Sequence, residues 1–286
     1  MNAKRLAAEK AVTYIDNGMV VGLGTGSTAY YAIHHIAKRV QEGLRIHAVA
    51  SSKQSETLAR ELQIPIIPFS DIETIDISID GADEVDPRGN LIKGGGGALL
   101  REKILAVNSN KFIVIVDDSK VVPQLGKFPL PVEIVPFAFE LTMGKLNRLG
   151  SNGILRMQGD QPFVTDNGNY IVDCHMERIA DAARLSEQLH AIPGVVEHGL
   201  FIQLADTIIV GSEEGAELLN RNGGQNLQLP AGLAKPAQRA LAGAGIGNLE
   251  QLAKLSESEL NRLHGIGPNA VRQLRQAMEH NGLSFR

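Results

Sequence analysis

The sequence predicts an α/β protein: a largely parallel sheet with helices on both faces, then a smaller α+β part, then an all-α carboxy-terminal module. Three observations carry this. Near-continuous apolar runs of strand length, of which Lys111-Phe112-Ile113-Val114-Ile115-Val116 is the clearest, alternate with helical patterns, as parallel strands buried on both faces do. From Gly126 the texture changes, and an extended segment carrying Pro129 and Pro131 leads into short strands bracketing helices. Beyond Asn222-Gly223-Gly224-Gln225-Asn226 only helical patterns remain, and residues 230–286 hold seven Lys/Arg against four Asp/Glu, on an acidic body. The expected boundaries are 1–127 with 206–221 for the sheet domain, 128–205 for the α+β domain, 222–229 for a linker and 230–286 for the helical module.

Taken in order, Leu6, Ala7, Val12 and Ile15 share one face of a first helix that Asn17-Gly18 ends. A strand at 19–21 runs into Gly22-Leu23-Gly24-Thr25-Gly26-Ser27-Thr28 and a helix over 29–40. A strand (46–50), a helix (54–62) and a strand (64–68) follow. Ile75, Ile77 and Ile79 then alternate with Asp76, Ser78 and Asp80, the period of a pleated strand that stops at Asp80-Gly81-Ala82-Asp83. After a polar turn (86–90) come Lys93, the tract Gly94 to Gly97, and a helix with Glu102 in its early turns. The 111–116 strand ends in Asp117-Asp118-Ser119-Lys120. The α+β part reads as a helix (138–149), a strand (153–158), a hairpin signal at Asp166-Asn167-Gly168-Asn169, a strand (170–174), a helix (179–191) and a turn with a strand (192–201). Residues 206–211 return to the first sheet. The tail shows helices at 233–243, 249–255 and 257–263, the hairpin His264-Gly265-Ile266-Gly267-Pro268, and a last helix to 280.

Composition narrows the function classes. At 286 residues the chain buries a core large enough to need no staples. One cysteine, Cys174, excludes an internal disulfide and suits a reducing compartment as a packed small residue. A formal charge of -4 gives no general attraction to nucleic acid or membrane, and the absence of tryptophan leaves no stacking platform for bases. There is no long apolar run, and the charged amphipathic start does not resemble a signal peptide, so a cytoplasmic protein without membrane contact is expected.

In open parallel sheets ligands bind outside the carboxyl ends of the strands, so the loops at 24–28, 80–83 and 117–120 converge there, with Lys93 and Glu102 hanging from the second. Two carboxylates at a strand end, an ammonium beside a glycine tract and a third carboxylate on the next helix form a catalytic set by residue type. The first loop has neither the G-x-G-x-x-G dinucleotide spacing nor a G-x-x-x-x-G-K-[ST] pattern. It is either a small-phosphate site, with Ser27 and Thr28 as hydroxyl donors at a helix start, or a tight structural turn. The eight histidines are scattered, none at a metal-ligand spacing with cysteine or carboxylate, and no metal site is expected.

The blocks Gly24-Thr25-Gly26-Ser27-Thr28, Asp80-Gly81-Ala82-Asp83, Lys93-Gly94-Gly95-Gly96 and Arg101-Glu102-Lys103 resemble ribose-5-phosphate isomerases of the A type. Residues 126–133, 164–169 and 192–195 resemble the same family, and the likeness runs in order to about Leu219. It implies a Rossmann-like catalytic domain with a smaller α+β domain, usually in a homodimer or tetramer. It also implies an aldose–ketose isomerase of the pentose phosphate pathway, acting on a phosphosugar without metal or cofactor. By the same resemblance Glu102 is the base that moves a proton between C2 and C1, Lys93 stabilises the enediolate oxygen, and Asp80 and Asp83 bind hydroxyls and assist ring opening. Ser27, Thr28, Lys4 and Lys120 hold the phosphate, while Thr25, Gly26, Gly81, Ala82, Gly94, Gly95 and Gly96 line the substrate. Gly97 departs from an alanine common in the family. The tail resembles helix-hairpin-helix modules, in particular the carboxy-terminal domain of the bacterial RNA polymerase α subunit, which implies contact with DNA or protein. Pro268-Asn269 stands where lysines would follow the hairpin, and Pro236 near an expected arginine, with Arg239, Arg262, Arg272 and Arg275 as the remaining cations. A sugar-phosphate sensor with the tail as its output is the competing function; it needs the phosphate grip but no base.

Overall fold

A computed structural model describes residues 2–219, 229–230, 232–263, 265–280 and 283–286, without the side chains of Glu250 and His280. Residues 222–228 of the expected linker, His264 of the hairpin and Gly282 lie outside these. The chain forms two compact units, Met1–Arg221 and Asn222–Arg286.

In the first unit, α1 (Ala3–Val12) starts at Asn2, whose side chain accepts from the Arg5 N–H. It stops before the expected Asn17-Gly18: residues 13–15 tighten into turns bonded three residues back, and the Arg39 guanidinium donates to the Val12 and Ile15 carbonyls. Then come β1 (Val20–Leu23), α2 (Ser27–Gln41), β2 (His47–Ala50) and α3 (Lys53–Glu61). The expected strand at 64–68 reduces to a single bridge between Ile66 and Ala48, since Pro65 and Pro68 remove donors that a ladder needs. The chain continues through β3 (Ile77–Asp80), the short ladder of β4 (Glu84–Val85) and β5 (Leu91–Ile92), α4 (Leu99–Val107) and β6 (Phe112–Asp117).

The α+β part holds β7 (Leu130–Ile134), α5 (Phe139–Arg148), β8 (Asn152–Leu155), β9 (Met157–Gln158), β10 (Gln161–Pro162), β11 (Tyr170–His175), α6 (Ala182–His190), β12 (Val195–His198) and β13 (Leu200–Phe201). Thr207–Gly211, β14, returns to the first sheet beside β6, and β15 (Ala216–Leu218) adds an antiparallel edge. The main sheet runs β15-β14-β6-β3-β1-β2, parallel apart from β15, and an antiparallel sheet runs β12-β7-β11-β8. In β6, Ile113 and Ile115 join the core under α1 and α2, while Phe112, Val114 and Val116 join the core on the other face. Burial on both faces explains the unbroken apolar run.

Two expectations in the α+β part need correcting. Asn167-Gly168 makes a turn, with the Gly168 N–H on the Thr165 carbonyl, but it joins no hairpin. The hairpin sits instead between β9 and β10, and β11 leaves the turn to pair with β7 and β8. The fully buried Glu133 carboxylate holds the turn, accepting from Thr165, Asn167 and Asn169. The strand expected at 192–201 is also split at Gly199, and β13 crosses to the β4–β5 ladder.

The second unit contains α7 (Lys235–Gly243), α8 (Leu249–Ala253), α9 (Glu257–Asn261) and α10 (Pro268–His280) around a core that includes Leu233, Leu241, Leu252, Leu260 and Leu274. Asn248 caps α8, and Ser256 with Glu259 forms a reciprocal capping box on α9.

Strand order sets the position of the site. From β1 the chain moves outward to β2 and then returns past β1 to β3, so the sheet reverses direction between these neighbours. A crevice opens at the carboxyl ends of strands at such a reversal.

Candidate active site

The crevice is lined by Lys4, residues 25–28, residues 81–83, residues 93–96, Glu102 and Lys120, around a cleft of about 100 Å³. Every cleft position expected from the sequence except Asp80 is therefore on its wall. The first loop follows β1. A Cβ on Gly24 would stand 2.1 Å from the Asp80 carboxylate, and Gly26 at φ +99° enters α2 with no side-chain cap. The first amides of α2 are thus left to a ligand, with the positive helix end behind them. Lys4 reaches Ser27 Oγ at 3.0 Å. Lys4, Gly26 and Ser27 also line a wider cavity of about 800 Å³ that includes Tyr30, Tyr31 and Asp117.

The other half is built on β3, the tract after β5, and α4. Lys93, 2% exposed, places Nζ 2.9 Å from Asp80 Oδ2 and 2.6 Å from the Gly81 carbonyl. Glu102 Oε2 lies 3.2 Å from the same ammonium, within ion-pair reach but not aligned as a hydrogen bond, and it is buried without a hydrogen-bond partner among the described residues. Burial, reinforced by Asp80, pushes the Glu102 carboxyl up to about 8 against the pull of Lys93. Burial works to lower the Lys93 pKa, but Asp80 and Glu102 outweigh it and hold the ammonium charged above its usual range. The result is a carboxylate of raised basicity on the cleft wall, with one buried oxygen beside a fixed positive charge.

Asp80 does not face the cleft. Its Oδ1 accepts from the Thr25 and Gly81 N–H groups and its Oδ2 from Lys93, so it joins the first loop to the lysine. Asp83 does line the cleft, with Oδ2 accepting from the Gly95 N–H at 2.8 Å.

Sequence reading assigned no role to three contributors. Phe201, fully buried on β13, has Lys93 Nζ at 5.4 Å and Lys103 Nζ at 4.9 Å from its ring centroid. It dries the lysine and favours its charge. Arg101 binds Asp166 and Asn167 of the turn that Glu133 organises, tying α4 down beside Glu102. Arg156 contacts the glycine tract from the smaller sheet. None carries a local signal, since each partner arrives from a distant stretch of chain.

The scattered histidines include one meeting that spacing did not show: the ligand-type atoms of His190, Glu197 and His198 lie within 4.8 Å of one another. Lys103 already occupies Glu197 Oε1 at 2.7 Å. His198 Nδ1 accepts from the Leu200 N–H, which leaves the proton on Nε2 facing Ser186. Burial, with Lys103 close by, drives the His198 pKa down to about 3. A protonated nitrogen and a carboxylate filled by an ammonium form an ion-pair network rather than a metal donor set. Cys174 is buried, its thiol pushed up to about 11 by burial, as suits a packed residue.

Known proteins share this fold. A family model described as ribose 5-phosphate isomerase A (phosphoriboisomerase A) matches residues 47–215. The ribose-5-phosphate isomerase A of Sphingopyxis alaskensis is 49% identical over 218 residues, 76% of this chain and 96% of that protein. Among solved structures, ribose 5-phosphate isomerase A from Methanocaldococcus jannaschii superposes with a TM-score of 0.73 at 39% identity, covering 76% of this chain and 97% of its own. A D-ribose-5-phosphate isomerase in complex with phospho-erythronic acid gives 0.74 at 42%, covering 76% and 99%. With a family model spanning more than half of its length, and a relative about half identical along nearly all of that relative's own, the chain belongs to the ribose 5-phosphate isomerase A family.

Proposed function

We propose that this cleft interconverts D-ribose 5-phosphate and D-ribulose 5-phosphate through an enediolate, with Glu102 as the base and Lys93 as the oxyanion partner. The observation that carries the reading is the buried, unpartnered Glu102 Oε2 beside the Lys93 ammonium at the sheet's reversal point. In the open-chain aldose Glu102 removes the C2 proton. The bonding pair moves into a C1–C2 double bond, and the charge gathers on O1, where Lys93 balances it. Glu102 returns its proton to C1, the O2–H bond releases its proton as the C2 carbonyl forms, and O1 takes up a proton. Aldose and ketose are isomers, so no oxidant, reductant or cofactor enters the balance. Asp83 takes and returns hydroxyl protons, including the one that opens the ring, and Asp80 acts through Lys93. Lys4, Ser27, Thr28, Lys120 and the α2 amides hold the phosphate, and residues 25–26, 81–82 and 94–96 form the walls.

Isomerisation by the purified full-length chain tests this, with Glu102→Gln as the control. Turnover that falls in the variant while ribose 5-phosphate still binds supports the reading. A wild type that binds the sugar without turning it over is a sensor and overturns it. Phospho-erythronic acid, whose carboxylate resembles the planar enediolate, is expected to compete.

The reading extends to the rest of the chain. Residues 1–127 with 206–221 act as a Rossmann-like catalytic domain, and 128–205 brace it. The protein works in the cytoplasm as a homodimer or tetramer, and Phe137, just before α5, and Leu141, in its first turn, 87% and 73% exposed, offer an apolar surface to a second copy. No helix among the described residues is long and apolar enough to cross a membrane. Residues 230–286, similar to helix-hairpin-helix modules, serve protein contact or assembly rather than DNA. Pro236 and Pro268 bring no N–H to their helix starts, Arg275 pairs with Glu257, and Arg272 bonds Asn269.

A further inference from the structure

The glycine tract that walls the cleft is held from outside it. Arg156 lies between β8 and β9, its N–H on the Ile171 carbonyl and its own carbonyl taking the Phe163 N–H. Its guanidinium meets Asp173 of β11 with two nitrogens, Nε to Oδ2 at 2.9 Å and Nη2 to Oδ1 at 2.5 Å. The remaining nitrogen, Nη1, reaches the Gly94 carbonyl at 3.0 Å and the Gly95 carbonyl at 3.1 Å. The ion pair is sheltered, at 16% and 22% side-chain exposure.

A trans peptide points its C=O and N–H in opposite directions. Two successive carbonyls turned toward Arg156 therefore turn two successive N–H groups, those of Gly95 and Gly96, the other way. The Gly95 N–H lands on Asp83 Oδ2 at 2.8 Å. The Gly96 N–H has no partner among the described residues, and Gly96 lines the cleft. The far end of the tract is packed as well. Gly97 stands at φ +80°, and a Cβ there would meet the Phe163 ring at 2.5 Å, so a glycine at this position makes room for that ring. The Phe163 ring in turn lies 5.8 Å from the Arg156 guanidinium.

We propose that Arg156 is a positioning residue for the isomerisation: by holding the Gly94 and Gly95 carbonyls it aims one amide at Asp83 and the next at the sugar oxygen that carries charge in the transition state. The inference rests on the isomerase reading of the cleft. One planar group binds in two directions at once, with Nε and Nη2 side by side on Asp173 and Nη1 on the glycine carbonyls, and Asp173 sets their plane. The positive charge also polarises both peptide units, which strengthens N–H donors on their far side. A lysine offers a point charge and cannot keep Asp173 and both carbonyls aligned.

The test uses the full-length protein and steady-state kinetics on ribose 5-phosphate, with inorganic phosphate as a competitive probe of the other end of the cleft. Arg156→Ala is expected to lower kcat about 10–100-fold, the scale of a misaimed donor or a displacement near 1 Å. The inhibition constant of phosphate should stay within about twofold, because Lys4, Ser27 and Lys120 make no contact with Arg156. Arg156→Lys keeps the charge and stem and should still lose about tenfold. Added guanidinium should restore part of the rate in Arg156→Ala but not in Arg156→Lys, and Asp173→Asn should cost less than either. If Arg156→Ala does not fold, Arg156→Lys carries the test. A folded Arg156→Ala or Arg156→Lys with wild-type kcat, or one that loses phosphate affinity in step with turnover, overturns the proposal while leaving the isomerase reading intact. A wild type without turnover removes both.

Discussion

Replacing Glu102 by glutamine keeps the side chain's volume and removes its ability to accept a proton. A positioned base contributes about 10²–10⁴-fold, which corresponds to about 3–5 kcal/mol of barrier. The raised carboxyl pKa, to about 8, also sets the pH behaviour. The ionised form is the base, so wild-type kcat/KM should climb with pH and level off above about 8, whereas the variant's residual rate should lack that step. Stability moves the other way. Between the ordinary carboxyl range and about 8 the folded protein keeps a proton that the unfolded chain releases, so this group's contribution falls as pH rises through that window. At about pH 5 glutamine and the protonated carboxyl are near equivalents, while at about pH 9 the wild type must bury an ionised group that the variant lacks, a difference on the order of a few kcal/mol. Turnover assays from about pH 6 to pH 9, with thermal unfolding at about pH 5 and about pH 9, read both effects. A variant retaining more than a tenth of wild-type turnover would refute the reasoning about the base. A variant that loses stability relative to wild type as pH rises would refute the electrostatics.

Other perturbations separate the parts of the site. Lys93→Met leaves Asp80 and Glu102 buried without their cation; turnover should fall about 10²–10³-fold, and denaturant unfolding near neutral pH should show a loss of about 3–5 kcal/mol. Lys4→Ala, which removes the ammonium beside Ser27 at the proposed phosphate end, should raise KM several-fold with little change in kcat, because a phosphate grip is made equally in the ground and transition states. Gly24→Ala pushes a methyl group into the Asp80 carboxylate and should cost about 1–3 kcal/mol in unfolding along with much of the activity. A chain ending at residue 221 should keep kcat near wild type, since the catalytic set lies within the first compact unit; abolished turnover would give the tail a direct part in catalysis.

The sequence by itself determined the main sheet and the loops that carry the chemistry. The strands around Val21, Ile79 and Val114 announce themselves through apolar runs and two-residue alternation, and glycine with acidic residues marks where each stops. Parallel order then brings those strand ends together, so Gly24, Asp83, Lys93 and Glu102 were assignable to one rim before any coordinates. Local signals failed where the chain's destination mattered more than its composition. Asn167-Gly168 has the chemistry of a hairpin turn, yet Glu133 claims it and β11 leaves to pair elsewhere. Only the tertiary structure decided that Asp80 joins Lys93 to the first loop, that Phe201 packs against the lysine, that Arg156 grips the glycine tract and that Lys103 pairs with Glu197. Periodicity and turn chemistry report what a segment does with its own backbone. Which side chain meets which across a hundred residues depends on packing, and no stretch of sequence records that alone.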